Sequence, residues 1–371
     1  MSQKLSLLLK LSQRSFSIHT ASTSKINTPH LDLSFSNQLI STSQPRIDRY
    51  CNTFLSELTH DLNNLKSLKT KIDKCRRDLE YCFQDHAEIS FVPIGSAANG
   101  LLHNGSDLDL VLIPSSTSEN WKKFNTRFEK SAQFRFGYMQ TIRNLIISKK
   151  IGRCDTPYYN AKTPIIRLKS DRKLQIDIQF GSTSPIRSTI FIRTCVEFDE
   201  RVGLLIHWLC KKFEESRILK SSDRLFSRYH VNMLVIHFLQ ALPTPVLPDI
   251  IQLAPWCSPN HDQLKLIRMI RQKNLYVPME TANETSVGGL AIQLIDYFSQ
   301  FDFGKRAIDT RGRNLRRSLR DPNFFELRDV YFPEFTCRVY EAPRLLHEFF
   351  AKLKDQAARE RYDHLFCYHF L

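Results

Sequence analysis

The chain has 371 residues, 42 % of them hydrophobic, and 53 Lys and Arg against 38 Asp and Glu give it a formal net charge of +15. That length suffices for two domains of ordinary size, and the composition excludes a fibre or a disordered tail. The charge favours a polyanionic partner; no apolar run approaches the roughly 18 residues that cross a bilayer, so nucleic acid is expected and a membrane span is not.

In chain order, residues 1–43 come first, as a leader. From Met1 to His30 there is no acid, and Lys4, Lys10, Arg14 and Lys25 are interleaved with Leu and Ser. This basic, Ser-rich, acid-poor character is that of a mitochondrial presequence, so the mitochondrion is the expected location and the cytoplasm the alternative. Residues 44–83 carry apolar positions at helical spacing, predicting a long helix or a helical pair. From 91 the period shortens. "FVPI" and "LDLVLI" read as short strands, 119–149 as helix, and "IIRLKSDRKLQIDIQF" (165–180) as two strands joined by a turn at Asp171-Arg172-Lys173. From about 196 the pattern is mainly helical. The nine cysteines form no C-x-x-C pair and read as buried or idle thiols in a reducing compartment, not as a zinc knuckle or disulfide framework. His207, His230 and His237 fall on apolar helices without ligand spacing and read as packing residues. The run 304–320 holds seven Lys or Arg, a solvated face or an RNA-backbone contact.

The stretch "GSAANGLLHNGSDLDLVLIP" (95–114) carries the chemistry. Asp107 and Asp109 lie two apart on a strand, so both side chains leave the same face. Two carboxylates there repel each other unless a cation neutralises them, and hard oxygen donors suit Mg²⁺ or Mn²⁺. Asp177, in "LQIDIQF", is a third acid inside a strand, where an unpaired charge is costly. A neighbouring strand would bring it to the same cluster, and three carboxylates can hold two metals. Gly95 and Ser96 sit at the turn after a strand, where backbone N–H groups can approach phosphate. Either fragment alone is an ordinary turn or strand edge; their joint spacing carries the signal.

The pattern G-S-x-x-x-G-x-x-x-x-x-S-D-x-D resembles the nucleotidyltransferase signature of the DNA polymerase β superfamily, and within it the noncanonical poly(A) and poly(U) polymerases, which are terminal nucleotidyltransferases. The likeness continues through "TPIIRLKSDRKLQIDIQF", "STIFIRTCVEFDERV", "FSRYHVNMLVIHFLQALP" and "SVGGLAIQLIDYFSQFDF", in the family's order over roughly 45–335. It implies an α+β fold. A small mixed nucleotidyltransferase sheet with flanking helices (88–186) would face a mainly helical domain (44–87 and 187–371, with the poly(A)-polymerase-associated segment at about 286–335), and the NTP cleft would lie between them.

By that resemblance Asp107, Asp109 and Asp177 bind two Mg²⁺ or Mn²⁺ ions, with Asp177 next to the RNA 3′-hydroxyl as base or ligand. Gly95 and Ser96 contact phosphate, Asn99 and Ser106 complete the signature, and Tyr229 stacks on the base beside Ser227. Three positions depart from the family. Cys210 falls where the triphosphate lysine stands, with Lys211 next to it; Arg228 replaces a serine, and Ser188 an asparagine near the ribose. Arg228 and Lys211 are the cations that could compensate. The implied activity is template-independent transfer of nucleotides to RNA 3′ ends by two-metal in-line attack with release of pyrophosphate. The family's uridylyl members carry a uracil-reading histidine in the loop corresponding to 320–332; none occurs here, which favours ATP over UTP. RNA uridylyl transfer, a catalytically silent RNA-binding relative, and transfer to a small molecule or into 2′–5′ oligomers are the alternatives; a protein partner or oligomer is left open.

Overall fold

The computed structural model describes residues 32–371 except 87–88, 115–116, 162, 273, 276–280, 333–338 and 368–371. Most of the expected leader therefore lies outside the described residues. Its boundary moves: helix α1 spans Ser34–Asn64 and starts well before 44. The cause is tertiary. The Ser36 amide donates to Asp296 at 2.9 Å, and Gln44 donates to the Ser286 hydroxyl at 2.8 Å, so the start of α1 is fixed from far along the chain. Helix α2, Lys66–Cys82, follows after a break at Leu65.

A five-stranded mixed sheet comes next, from β1 (Ser90–Ile94), β2 (Leu108–Ile113), β3 (Gly152–Cys154), β4 (Ile165–Ser170) and β5 (Gln175–Gln179), in the order β1-β2-β5-β4-β3. Only β2 and β5 run parallel. Helices α3 (Ser96–Asn99), α4 (Ser118–Lys130) and α5 (Ala132–Ser148) fill the connections. Period-2 alternation sorts the side chains to two faces. Leu108, Leu110, Ile176 and Ile178 join Ile72 and Leu79 of α2 and Ile142 of α5 in one core. Val92, Val111 and Ile113 pack on the other face against Trp121, Ile186 and Ile190. Asp109 and Asp177 share the second face by parity, beyond the reach of that apolar cover.

The rest is mainly helical, as expected: α6 (Ser184–Phe198), α7 (Glu200–Glu215), α8 (Arg228–Ala241), α9 (Ile250–Leu253), α10 (Gln263–Ile270), α11 (Val287–Gln300), α12 (Ala342–Ala358) and α13 (Tyr362–Phe366). Asp199 caps α7 and holds Arg201, whose guanidinium also donates to the Thr285 carbonyl at 2.8 Å. Three short strands were not foreseen: β6 (Arg306–Asp309), β7 (Leu315–Arg316) and β8 (Leu327–Arg328), two to four residues each and too short to show a period. The basic run 304–320 threads β6 and β7. Within it Arg311 is paired with Asp249 and Arg313 with Asp309, so these two serve the fold. Among the described residues all cysteines are free thiols, and no helix is long and apolar enough to cross a membrane.

Candidate active site

The three acids meet at the mouth of the sheet. Asp109 and Asp177 are register partners across the parallel β2–β5 pair; Asp107 lies just before β2, not on it as expected, and lines the same cleft. All three line a cleft of about 920 Å³. Burial, then the Asp177 and Asp107 carboxylates, push Asp109 up to about 7. Burial and Asp177 raise Asp107 as well. Arg167, on β4, opposes Asp177 in the β4–β5 register and binds it through both oxygens. Gln175 donates to Asp107 at 2.9 Å.

The glycine turn is shaped by the same acids. Gly95 has φ +62°, and a Cβ there would come within 3.0 Å of an Asp109 carboxylate oxygen. Only glycine takes that backbone with that neighbour at no cost. The Gly95 amide donates to the Thr189 hydroxyl at 3.0 Å, which ties the turn to α6. Ser96 and Ser106 hydroxyls meet at 3.1 Å, Ser106 also accepts the His103 amide at 3.0 Å, and Asn99 accepts the Leu101 amide at 3.0 Å. Ser106 and Asn99 thus brace the loop, and with Gly95 and Ser96 they line the cleft.

The opposite wall comes from α6, α7 and α8. Ser188, Ser227, Arg228 and Tyr229 all line the cleft, together with His207, Cys210 and Glu214. Lys211 is not among the lining residues of the cleft. Cys210 is buried, and burial pushes its thiol up to about 12, so it stays neutral. Arg228 supplies the positive charge beside it: its guanidinium is paired with Glu214 and lowers the pKa of His207 and His103, after burial. Lys220 is a further cation on the wall. The Tyr229 hydroxyl donates to Asp329, and its ring meets Phe332 edge-on at 6.0 Å. Ser227 caps α8 reciprocally with His230, and His237 lies in the core, accepting the Asp309 amide at Nδ1. These two histidines pack, as expected, whereas His207 reaches the cleft.

Among the described residues no three His, Cys, Asp or Glu side chains stand as a ligand set; Asp177 is bound to Arg167, and Asp107 accepts from Gln175. The donor chemistry nevertheless fits a hard divalent cation: three carboxylates line one cleft, and burial, then the neighbouring carboxylates, raises two of them. Sequence reasoning missed Arg167, Asp329 and Phe332. For Arg167 a signal existed, since a hairpin centred on Arg172 places 167 opposite 177. For Asp329 and Phe332, remote in sequence from Tyr229, there was none.

Comparison with known proteins adds the following. Residues 51–197 match the family model described as the central palm domain of mitochondrial-like poly(A) RNA polymerase. The chain is 26 % identical over 249 residues to poly(A) RNA polymerase GLD2-B of Xenopus laevis, covering 65 % of this chain and 46 % of that protein. The human GLD2 poly(A) RNA polymerase is 24 % identical over 241 residues. The chain thus spans about half the length of the curated relatives it matches. In fold it is similar to GLD-2 in the structure of the GLD-2/RNP-8 complex, with TM-score 0.64 and 20 % identity over 86 % of this chain and 94 % of that one. The Cid1 poly(U) polymerase is matched with the same TM-score of 0.64 at 16 % identity, over 86 % of this chain and 98 % of that one.

Proposed function

We propose that the chain is a noncanonical poly(A)/poly(U) polymerase of the nucleotidyltransferase superfamily, an RNA 3′-terminal nucleotidyltransferase that adds AMP from ATP; the palm-domain match and the likeness to the GLD2 relatives support this reading. The observation that carries this reading is the in-register pair Asp109 and Asp177, with Asp107 beside them, facing Tyr229 and Arg228 across one cleft.

In the proposed reaction the RNA 3′-oxygen forms a bond to the α-phosphorus of the NTP. The bond from that phosphorus to the bridging oxygen breaks, pyrophosphate leaves, and the hydroxyl proton passes through the carboxylate cluster to water. Mg²⁺ or Mn²⁺ held by Asp107, Asp109 and Asp177 would neutralise the carboxylates and the phosphates they face. Gly95 and Ser96 offer the triphosphate a turn free of side-chain bulk. Arg228 takes the charge-bearing role that neutral Cys210 does not fill, with Lys220, itself paired with Asp223, lining the same cleft, and a guanidinium can bind phosphate bidentately. Tyr229, held by Asp329, offers a face for stacking on the base. Ser188 stands on the ribose side.

ATP is favoured because the 320–332 loop carries no histidine and instead presents Asp329 and Phe332 near Tyr229. UTP is the alternative, and a silent RNA-binding relative is the reading that Cys210 favours. Incubating the protein with labelled oligo(A), Mg²⁺ or Mn²⁺ and each NTP in turn separates these, with an Asp107→Ala, Asp109→Ala double variant alongside. Extension with ATP that the variant lacks is the expected result. No extension with any NTP leaves the silent relative, and a preference for UTP moves the enzyme to the uridylyl side. The leader's composition and the match to a mitochondrial-like palm favour a mitochondrial address. A reporter fused to the first 40 residues tests it, and a diffuse cytosolic signal rejects it.

A further inference from the structure

A second cavity, of about 780 Å³, shares the short helix α3 with the cleft as one of its walls. Ser96 lines both cavities, whereas Ala97, Ala98 and Gly100 face only the second. Its charge is built by separate elements. Lys66, Lys69 and Arg76 recur at helical spacing along α2 and so share one face. Arg271 joins them from the end of α10, in a segment held by a buried cation. Arg193, only 6 % exposed, donates to the carbonyls of Ile270 at 3.1 Å and Gln272 at 2.8 Å, and so fixes the backbone on either side of Arg271. The acids nearby are largely spent on this framework: Glu197 on Arg193 and Glu80 on Arg76. Among the described residues Lys66 and Lys69 are exposed and carry no ion pair, and of the lining acids only Asp73 offsets them.

We propose that this groove binds the sugar-phosphate backbone of single-stranded RNA upstream of the 3′ end. The inference rests on the polymerase reading for the identity of the strand and goes beyond it in placing a second contact on α2 and Arg271, away from the acids. A strand whose end lies at Asp109 reaches the groove by rounding α3, a helix about 10 Å across. The ligand is recognised as a row of phosphates with an apolar floor below, so binding is salt-dependent and indifferent to base sequence. Arg76 and Arg271 share Glu80 in partly exposed pairs, which are worth little and can be exchanged for phosphate.

The test is binding of 5′-labelled oligo(A) of about 4 and about 15 nucleotides, a range that spans short and multi-site contacts. It uses the full chain without NTP or metal, so it does not depend on catalysis. Wild type is expected to bind the longer RNA more tightly. Lys66→Glu, Lys69→Glu should remove that gain, about tenfold for the longer RNA and none for the shorter, and make the slope of log affinity on log salt shallower by about 1.4. Lys66→Gln, Lys69→Gln should give a smaller change in the same direction, and its thermal unfolding checks that the fold is kept. A second charge-reversed variant, Lys122→Glu, Lys130→Glu, changes net charge equally outside both cavities and should behave as wild type. An unchanged length dependence in the Lys66, Lys69 variants overturns the proposal, as does equal weakening of both RNAs or an equal loss in the control. If wild type binds long RNA through these lysines yet extends none, the polymerase reading fails and the groove stands.

Discussion

Arg167 and Asp177 are bound side on across β4 and β5, Nε to Oδ1 at 2.9 Å and Nη2 to Oδ2 at 2.7 Å. Both donors of one guanidinium edge meet both oxygens of one carboxylate, so the acid's rotation is fixed. Asp177 is also the register partner of Asp109, so the arginine aligns the whole acid pair. Arg167→Ala is expected to lower nucleotide transfer by about 10–100-fold, the usual effect of removing a partner that orients a metal-binding residue. Arg167→Lys should recover part of the loss, since it keeps the charge but not the fork. Primer extension across a Mg²⁺ titration measures both, and wild-type activity in Arg167→Ala would refute the positioning role.

Asp109 predicts how metal binding depends on pH. Its carboxyl is pushed up to about 7, so below that pH it is largely protonated and a cation must displace the proton. Mg²⁺ or Mn²⁺ should therefore raise the unfolding temperature clearly at about pH 8 and hardly at about pH 6, and Asp109→Asn should abolish the shift. Thermal unfolding with and without metal at the two pH values decides it. A shift of equal size at both would show that Asp109 is not a ligand.

The Tyr229 hydroxyl and Asp329 hold each other in a mostly buried contact, and the Tyr331 amide also donates to Asp329 at 2.8 Å. Burial raises both of their pKa values. Tyr229→Phe keeps the ring but leaves the carboxylate short of one donor, at a cost of about 1–3 kcal/mol in stability. Its KM for ATP should rise by several-fold or less, whereas Tyr229→Ala should raise it far more because the stacking face goes too. Urea unfolding together with KM measurement separates anchor from platform; equal KM for the Phe and Ala variants would remove Tyr229 from the base site.

His207, His230 and His237 are each held down at about 4, chiefly by burial. The folded chain then binds fewer protons than the unfolded one between about pH 6.5 and 4, so stability is present above that window and lost as pH falls through it. The fully buried His237 contributes at most about 3 kcal/mol to that loss. Urea midpoints between about pH 7.5 and 4.5 should fall steeply, and less steeply in His237→Gln, which no longer titrates there. Parallel pH profiles for the two proteins would contradict the assignment.

The sequence by itself determined what short-range geometry determines. A hairpin turn at Asp171-Arg172-Lys173 follows from local chemistry, and the long apolar periods of α2, α5, α7, α8 and α11 announce helices, while Asp107, two before Asp109, falls just ahead of the strand. Pairing across the sheet was the work of tertiary structure: it set Asp177 in register with Asp109 and turned Arg167 onto it. Tertiary contact also drew α1 back to Ser34, through a bond to Asp296 that no local pattern encodes. On α7 the difference is one residue. His207, Cys210 and Glu214 line the cleft, whereas Lys211, next to Cys210 in sequence, is not among its lining residues. Positive charge therefore reaches the cleft from Arg228 on the next helix, which only the packing of α8 beside α7 could place there.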